Sequence, residues 1–442
     1  MKGYKKTLAL FIILILFSGF YFYLTKTEPK RIKKKQESKK IFIGEKDKIN
    51  SIFIKDKEKE IEILKSDNFW IIKEKNYECD RNEIESLINK ILSLEMERNL
   101  GEVEDLKQYG LEKPEKLLMI CEDNQKLFLF VGDETPSGSY LYASTDKREV
   151  FLISKWDLKE IFEKNIFDLR DKRIIPAEIT KSDIEEIEVK KAKTGFHFTK
   201  KDEIWNIDYP INDWADKDKI ENFIEKIVNG KVQSFEEEKS EKECGLEKPE
   251  VLISLKTKEN KYFLHFGKKV NDSYYCKNSL KPYIFKVEKN LLEDISENIN
   301  DLRYKKLFEF SVSDVAEFSI TKNGKELKIV KIKEDYFFEK DRKKRISKEK
   351  VEEFLEDLKN LEIENFLEYS EKNLNNYSLS TPPLKISVFD GRKKTEIYFG
   401  KKVDKEIYCY HPKRKIIFTI SSDNYPKIDK DENFFLKTKK NE

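Results

Sequence analysis

Glycine and histidine are scarce in this chain: 14 and 3 in 442 residues. So little glycine leaves almost nothing from which to build a phosphate-cradling loop. No HExxH and no GxSxG pattern occurs either. The five cysteines, Cys79, Cys121, Cys244, Cys276 and Cys409, are odd in number and form no CxxC pair. That pattern argues against a disulfide framework and against a zinc site. Charge of one sign is also missing, since 88 basic and 85 acidic residues leave a net of +3. A nucleic-acid partner would need a concentrated basic surface, so none is expected. Ser-x-x-Lys occurs at Ser144–Lys147 and Ser347–Lys350, which a lysine-rich chain produces by chance. No catalytic, cofactor-binding or metal-binding residue is expected, and no cofactor.

What is present is apolar material for several modest cores, 38% of the chain, with 12% aromatic residues. The length suits about three domains. One uncharged run, Thr7 to Leu24, has the length of a membrane span: 18 helical residues reach about 27 Å. Tyr21, Phe22 and Tyr23 sit where an interfacial aromatic belt would lie. A cleaved signal peptide is the rival reading, but no A-x-A-like site follows. The sequence therefore divides into a short cytoplasmic tail (1–6), a transmembrane helix (7–24) and a basic juxtamembrane spacer (25–40). Sidedness stays open. Eight basic residues follow the span between Lys26 and Lys40, which by charge counting favours a cytoplasmic C-terminal side. A short N-terminal span with a basic start is instead a signal-anchor for export, the reading adopted here. The lipid bilayer is then one partner.

Beyond residue 40 the chain repeats. YGLEKPE at Tyr109 returns as CGLEKPE at Cys244 and as YSLSTPP at Tyr377. Gly132, Gly267 and Gly400 each close an apolar strand, at spacings of 135 and 133 residues. Trp70, Trp205 and Phe338 keep the same spacings. Independent landmarks on one period mean duplication. The fold class is α+β, three tandem sheet-plus-helix modules of about 133 residues, at 41–174, 175–307 and a diverged 308–442. Short connectors predict modules packed in a row.

Each module opens with strands such as INSIFIK, EIEILKS and FWIIKEK, then a helix. Ile84, Leu87, Ile88 and Ile91 recur at i, i+3, i+4, i+7, one buried helix face. Asp80, Asp216 and Ser347 are its predicted N-caps, and Asp80 with Glu83 matches a capping box. Gly110 and Gly245 fit a left-handed helix end, and Pro114 and Pro249 push the following residues into strand. Ser378 stands where the third copy needs that glycine, so its turn should be strained or altered. Further strands follow (KLLMICE, KLFLFVG, SYLYAST, EVFLISK), then closing stretches NIFDLRDKRI and NINDLRYKKL. Alignment pairs Cys276 and Cys409 with Leu141 and His265 with Phe130 and Tyr398, all as strand positions. Asp168/Arg170 and Asp301/Arg303 are expected to tie each module's end to nearby backbone or charge. Trp70, Trp205 and Phe338 are expected in cores.

These landmarks resemble an uncharacterised bacterial family, domain of unknown function 4340. They are Trp70, Cys79-Asp80, Tyr109-Gly110-Leu111 with Pro114, Gly132, Tyr140 and Asp168-Leu169-Arg170. In the second copy they are Trp205, Ala215-Asp216, Gly245-Leu246 with Pro249, Gly267, Tyr275 and Asp301-Leu302-Arg303. The third keeps Gly400 but lacks the tryptophan, the turn glycine and the Asp-Arg pair. The resemblance implies one N-terminal span, an extracytoplasmic region and an association with transporter-like, gliding-motility or polymer-export complexes. It carries no catalytic residues.

Features shared by all copies most simply build the fold, so single-copy features are where function is sought. Three qualify: the loop GDETPSGSY at Gly132 to Tyr140, the Pro210/Trp214 segment, and the basic run Asp341 to Arg345. The leading expectation is a non-catalytic binding or scaffold accessory to a membrane-protein complex. A cell-envelope glycan binder is the alternative, and an envelope hydrolase the third.

Overall fold

The computed structural model describes residues 39–437 apart from 68, 192–193, 294–295 and 297, together with Ser18. The expected span at 7–24 and most of the basic spacer lie outside the described residues. No described helix is long and apolar enough to cross a membrane.

Three sheets follow one plan. In the first copy the strands are β1 (Ile49–Lys55), β2 (Glu60–Ser66), β3 (Phe69–Ile72), β4 (Tyr77–Glu78), β5 (Arg98–Glu102), β6 (Lys116–Glu122), β7 (Gln125–Glu134), β8 (Tyr140–Ser144) and β9 (Glu149–Ser154). Their order across the sheet is β4-β3-β2-β1-β6-β7-β8-β9-β5, with every pairing antiparallel. Two meanders thus run outward from a central β1–β6 pair. The second copy repeats this nine-stranded order, and the third has eight strands, without a counterpart of β4. One face of each strand points inward, as period-two alternation requires: Ile52 and Ile54 of β1 and Leu118 and Ile120 of β6 are all fully buried.

The long helices cover that inward face. They run Arg81–Ser93, Lys217–Val228 and Lys348–Lys359, and they bury Ile84, Leu87, Ile88 and Ile91 and their equivalents. Asp80 caps its helix by accepting from the amides of Asn82 and Glu83, while Asp216 accepts from Lys219 and Ser347 from Lys350. The capping box expected at Asp80 is only half formed. The Asp80 amide donates to Leu169 O at 2.9 Å, which leaves Glu83 to pair with Lys164 at 2.6 Å.

A short lead-in segment starts each copy and pairs with the chain just after that copy's long helix. The bridges are Lys40–Glu95, Arg173–Lys231 and Lys306–Glu362. Ile174 and Leu307 pack into the cores of the second and third copies. These residues therefore belong with the copy that follows, one or two positions earlier than the connectors suggested. The chain divides into two compact units, 1–172 and 173–442, so copies two and three form one unit.

Two elements escape the sequence pattern. A helix at Lys155–Phe162 buries Leu158, Ile161 and Phe162. Strand β5 carries one half-buried residue among five, too little alternation to be recognised. The closing stretches are shorter than a full helix, one turn at Ile166–Leu169 and a 3-10 turn at Ile299–Leu302.

Candidate functional site

The repeated landmarks assemble into two structural contacts in each copy. The first joins the Gly-Leu turn to the strand glycine. Gly110 and Gly245 have φ of 69° and 73°, where a side chain is disfavoured. Each ends a helical turn, after which Leu111 donates to Leu106 O and Leu246 to Glu241 O, at 3.0 and 2.8 Å. That closure buries Leu111 and Leu246. The carbonyl of the residue before the turn glycine then lies against the strand glycine. A Cβ on Gly132, Gly267 or Gly400 would sit 2.0, 2.2 or 2.1 Å from the oxygen of Tyr109, Cys244 or Tyr377. Pro114 and Pro249 lie half-buried just before the next strand. In the third copy Ser378 keeps the left-handed turn, at φ 59°.

The second contact closes each module on itself. Asp80 N donates to Leu169 O, Asp216 N to Leu302 O and Ser347 N to Phe435 O, all at 2.8–2.9 Å. The next residue is Arg170, Arg303 or Leu436, each bridged to the residue before the helix cap: Cys79, Ala215 or Ile346. Asp168 completes a capping box with Asn165, and Asp301 accepts from Ser296 Oγ. Arg170 is buried, with its guanidinium 3.5 Å from the centre of the Tyr77 ring. Trp70, Trp205 and Phe338 are core residues, 9%, 1% and 3% exposed, which removes them as stacking platforms.

Arg303 leads to the most developed polar cluster of the second unit. The short strand Asp213–Trp214 returns along Ile204–Tyr209 after the cis Tyr209–Pro210 peptide. It carries Asp213, whose side chain is fully buried. Arg303 Nε donates to Asp213 Oδ2 at 2.7 Å. From the third copy, Arg414 Nε donates to Oδ1 at 2.8 Å and its Nη2 to Oδ2 at 3.0 Å. Arg414 Nη2 also reaches Tyr304 O at 2.9 Å. Two guanidinium groups thus share one carboxylate across the seam between copies two and three. Aromatic rings line it: the Arg303 guanidinium lies 3.5 Å from the Phe366 ring centre, and Trp214 meets Tyr304 and His411 at 6.3 and 5.7 Å.

Burial and the second guanidinium lower the Arg303 pKa, against the pull of Asp213. Burial chiefly, helped by the Arg414 and Lys393 charges, pushes His411 down to about 3. Tyr304 is raised by burial. The cluster can hold two modules in one orientation. Its hydrogen bonds face inward, and Asp213 is occupied by arginine on both oxygens. The Pro210/Trp214 segment, singled out as a single-copy feature, is therefore part of this seam. The partners Asp213 and Arg414 were not identified from sequence. The first copy has Tyr77 where the second has Asp213, and the two partners lie 201 residues apart.

A second surface lies on the outer face of the third sheet. Tyr398 and Tyr410 are direct cross-strand partners. Tyr369 stacks on Tyr410 at 6.0 Å, and Tyr377 stacks on Tyr408 at 4.1 Å beside Lys401. All five rings keep partial exposure. The basic run Asp341 to Arg345 is surface, with Lys344 paired to Glu432 and Asp341.

Strand register also corrects two alignments. Val131 faces Ala143, whereas Phe266 faces Cys276 and Phe399 faces Cys409. The equivalent of the two cysteines is thus Ala143, not Leu141, and the tyrosine matching Tyr275 is Tyr142, not Tyr140. The first copy's hairpin is two residues longer between those paired positions, which shifts everything after it. Cys276 and Cys409 are fully buried, and burial raises both thiols. Among the described residues no group of three or more His, Cys, Asp or Glu side chains is placed to hold a metal ion.

Comparison with known proteins gives one kind of match, to a family described as domain of unknown function (DUF4340), at residues 70–249, 205–368 and 337–439. The three matches begin at or beside Trp70, Trp205 and Phe338. No curated protein and no solved structure matches.

Proposed function

The chain belongs to the family of the domain of unknown function (DUF4340), and from that premise we propose that it is a non-catalytic scaffold accessory to a membrane-protein complex. In this reading residues 7–24 anchor it in the membrane and the modules lie outside the cytoplasm. The observation that supports it is the seam of Asp213, Arg303 and Arg414. Burying three charges is costly to desolvation, and a hydrophobic contact would serve stability as well. What the charged seam adds is a single orientation of two modules, the property a docking platform needs. The tyrosine face of the third sheet suits the partner side, since tyrosine gives large contact area at low entropic cost.

Purification of the intact complex in mild detergent, followed by mass spectrometry, tests the reading. A membrane protein should co-purify with the native chain and be lost from a Tyr369→Ala/Tyr410→Ala variant. Recovery of the chain alone would count against it. A topology reporter fused at the C-terminus tests the sidedness.

A further inference from the structure

The first copy carries a cavity with an exposed indole. We propose that this cavity binds a short, uncharged saccharide. The site goes beyond the scaffold reading and does not rest on it.

The cavity measures about 430 Å³, within the range of small-molecule sites. Trp156 stands at its edge, 68% exposed, at the start of the Lys155–Phe162 helix. Its floor is apolar: Leu141, Leu158 and Phe162 are buried there. Its rim holds both signs in equal number, Asp56, Glu134 and Glu163 against Lys116, Lys155 and Lys159. A pyranose has an apolar C–H face and an edge of hydroxyls that both donate and accept. An indole with an apolar floor fits the face, and a rim of mixed donors and acceptors fits the edge. The balanced rim gives no field to attract a polyanion or polycation.

The wall is preformed and particular to this copy. Between β7 and β8 the loop Thr135 to Ser139 replaces the two-residue turns found at Asn271-Asp272 and Asp404-Lys405. It is fixed internally, with Gly138 N donating to Thr135 O at 2.9 Å. It is tied to the helix as well, by Lys155 N donating to Ser139 O at 3.1 Å and by the Lys155–Glu134 ion pair at 2.7 Å. In the second and third copies Asn290 and Asp423 stand at the matching position, since the amides just before them, Lys289 N and Ser422 N, donate to Asp272 O and Lys405 O as Lys155 N does to Ser139 O. Thus the loop GDETPSGSY and the exposed indole, both absent from the other copies, meet at one place.

The test uses the full chain in a zwitterionic detergent without a sugar headgroup. Chitotriose and cellotriose are the neutral probes and trigalacturonate the anionic one. Binding is read by saturation-transfer NMR and tryptophan fluorescence. A neutral trisaccharide should bind, and Trp156→Ala should weaken it by about tenfold or more. Trp156→Phe should retain part of the affinity, and Trp205→Phe, a buried control, all of it. The proposal is overturned if neither neutral probe binds, if Trp156→Ala binds equally well, or if trigalacturonate binds more tightly than both. Trp156 is exposed, so its replacement leaves the core intact, and circular dichroism of each variant verifies this.

Discussion

Replacing Asp213 by alanine removes the one carboxylate between two buried guanidinium groups. Three charge-assisted hydrogen bonds are lost, at 2.7, 2.8 and 3.0 Å. The side chains left behind, Arg303 and Arg414, are only 9% and 1% exposed, so water cannot compensate them. Deleting one partner of a buried ionic cluster costs about 3–5 kcal/mol. Arg414→Met should cost less, about 1–3 kcal/mol, because Asp213 keeps Arg303. In the double variant only Arg303 is left without its carboxylate, one stranded guanidinium group in place of two, so its cost should fall short of the sum by about 1–3 kcal/mol. Native-state hydrogen exchange suits the question, because it reports locally in a multi-unit chain. The Asp216 and Tyr304 amides, bonded beside the cluster to Leu302 O and Trp214 O, should exchange about 100-fold faster or more in Asp213→Ala. A cost below about 1 kcal/mol, or strict additivity in the cycle, would refute the claim that the three charges act as one buried unit.

Three further expectations rest on single contacts. Gly400→Ala puts a Cβ 2.1 Å from Tyr377 O; it should destabilise by about 3 kcal/mol or more, read by urea denaturation. Ser378→Gly relieves a side chain at φ 59° and should stabilise by up to about 1 kcal/mol in the same assay. His411 has its folded pKa pushed down to about 3, whereas the unfolded value is about 6.5. The unfolded state therefore binds the extra proton between those values, and stability falls as pH drops below about 6.5. The loss by pH 5 should be about 2 kcal/mol, and His411→Phe should remove that slope. A variant with the native pH profile would contradict this.

Local chemistry was legible in the sequence, and long-range partnership was not. The Gly-Leu turns, the N-caps Asp80, Asp216 and Ser347 and the long helix faces are written in neighbouring residues, so spacing reveals them. The strand glycines stood out by periodicity, yet their cause did not. It is a carbonyl more than twenty residues upstream, visible only once strand and turn lie together. Arg303 was marked as an end-tying residue, but its carboxylate lies 90 residues away on a single-copy segment. Repetition, which made the fold readable, hid the seam for the same reason: the first copy has Tyr77 in the place of Asp213, so alignment pointed to no carboxylate. The cavity of the first copy was half legible. Its loop was singled out, while Trp156 sat on a helix too short to announce itself.

The turn–strand contact also says how a copy can age. Its two glycine positions sit on opposite sides of one touch, but they tolerate change differently. A side chain at the turn meets backbone strain and a near neighbour, Asp133 N at 2.8 Å from a Cβ on Gly110 and Lys268 N at 3.2 Å from one on Gly245, yet the third copy has accepted serine there. A side chain on the strand would occupy space already filled by an oxygen atom, and all three copies keep glycine. Divergence should therefore erase the turn glycine, the tryptophan and the closing arginine before it touches the strand glycine. In a worn copy of this module, the strand glycine is the last signature to search for, and the one by which to align the rest.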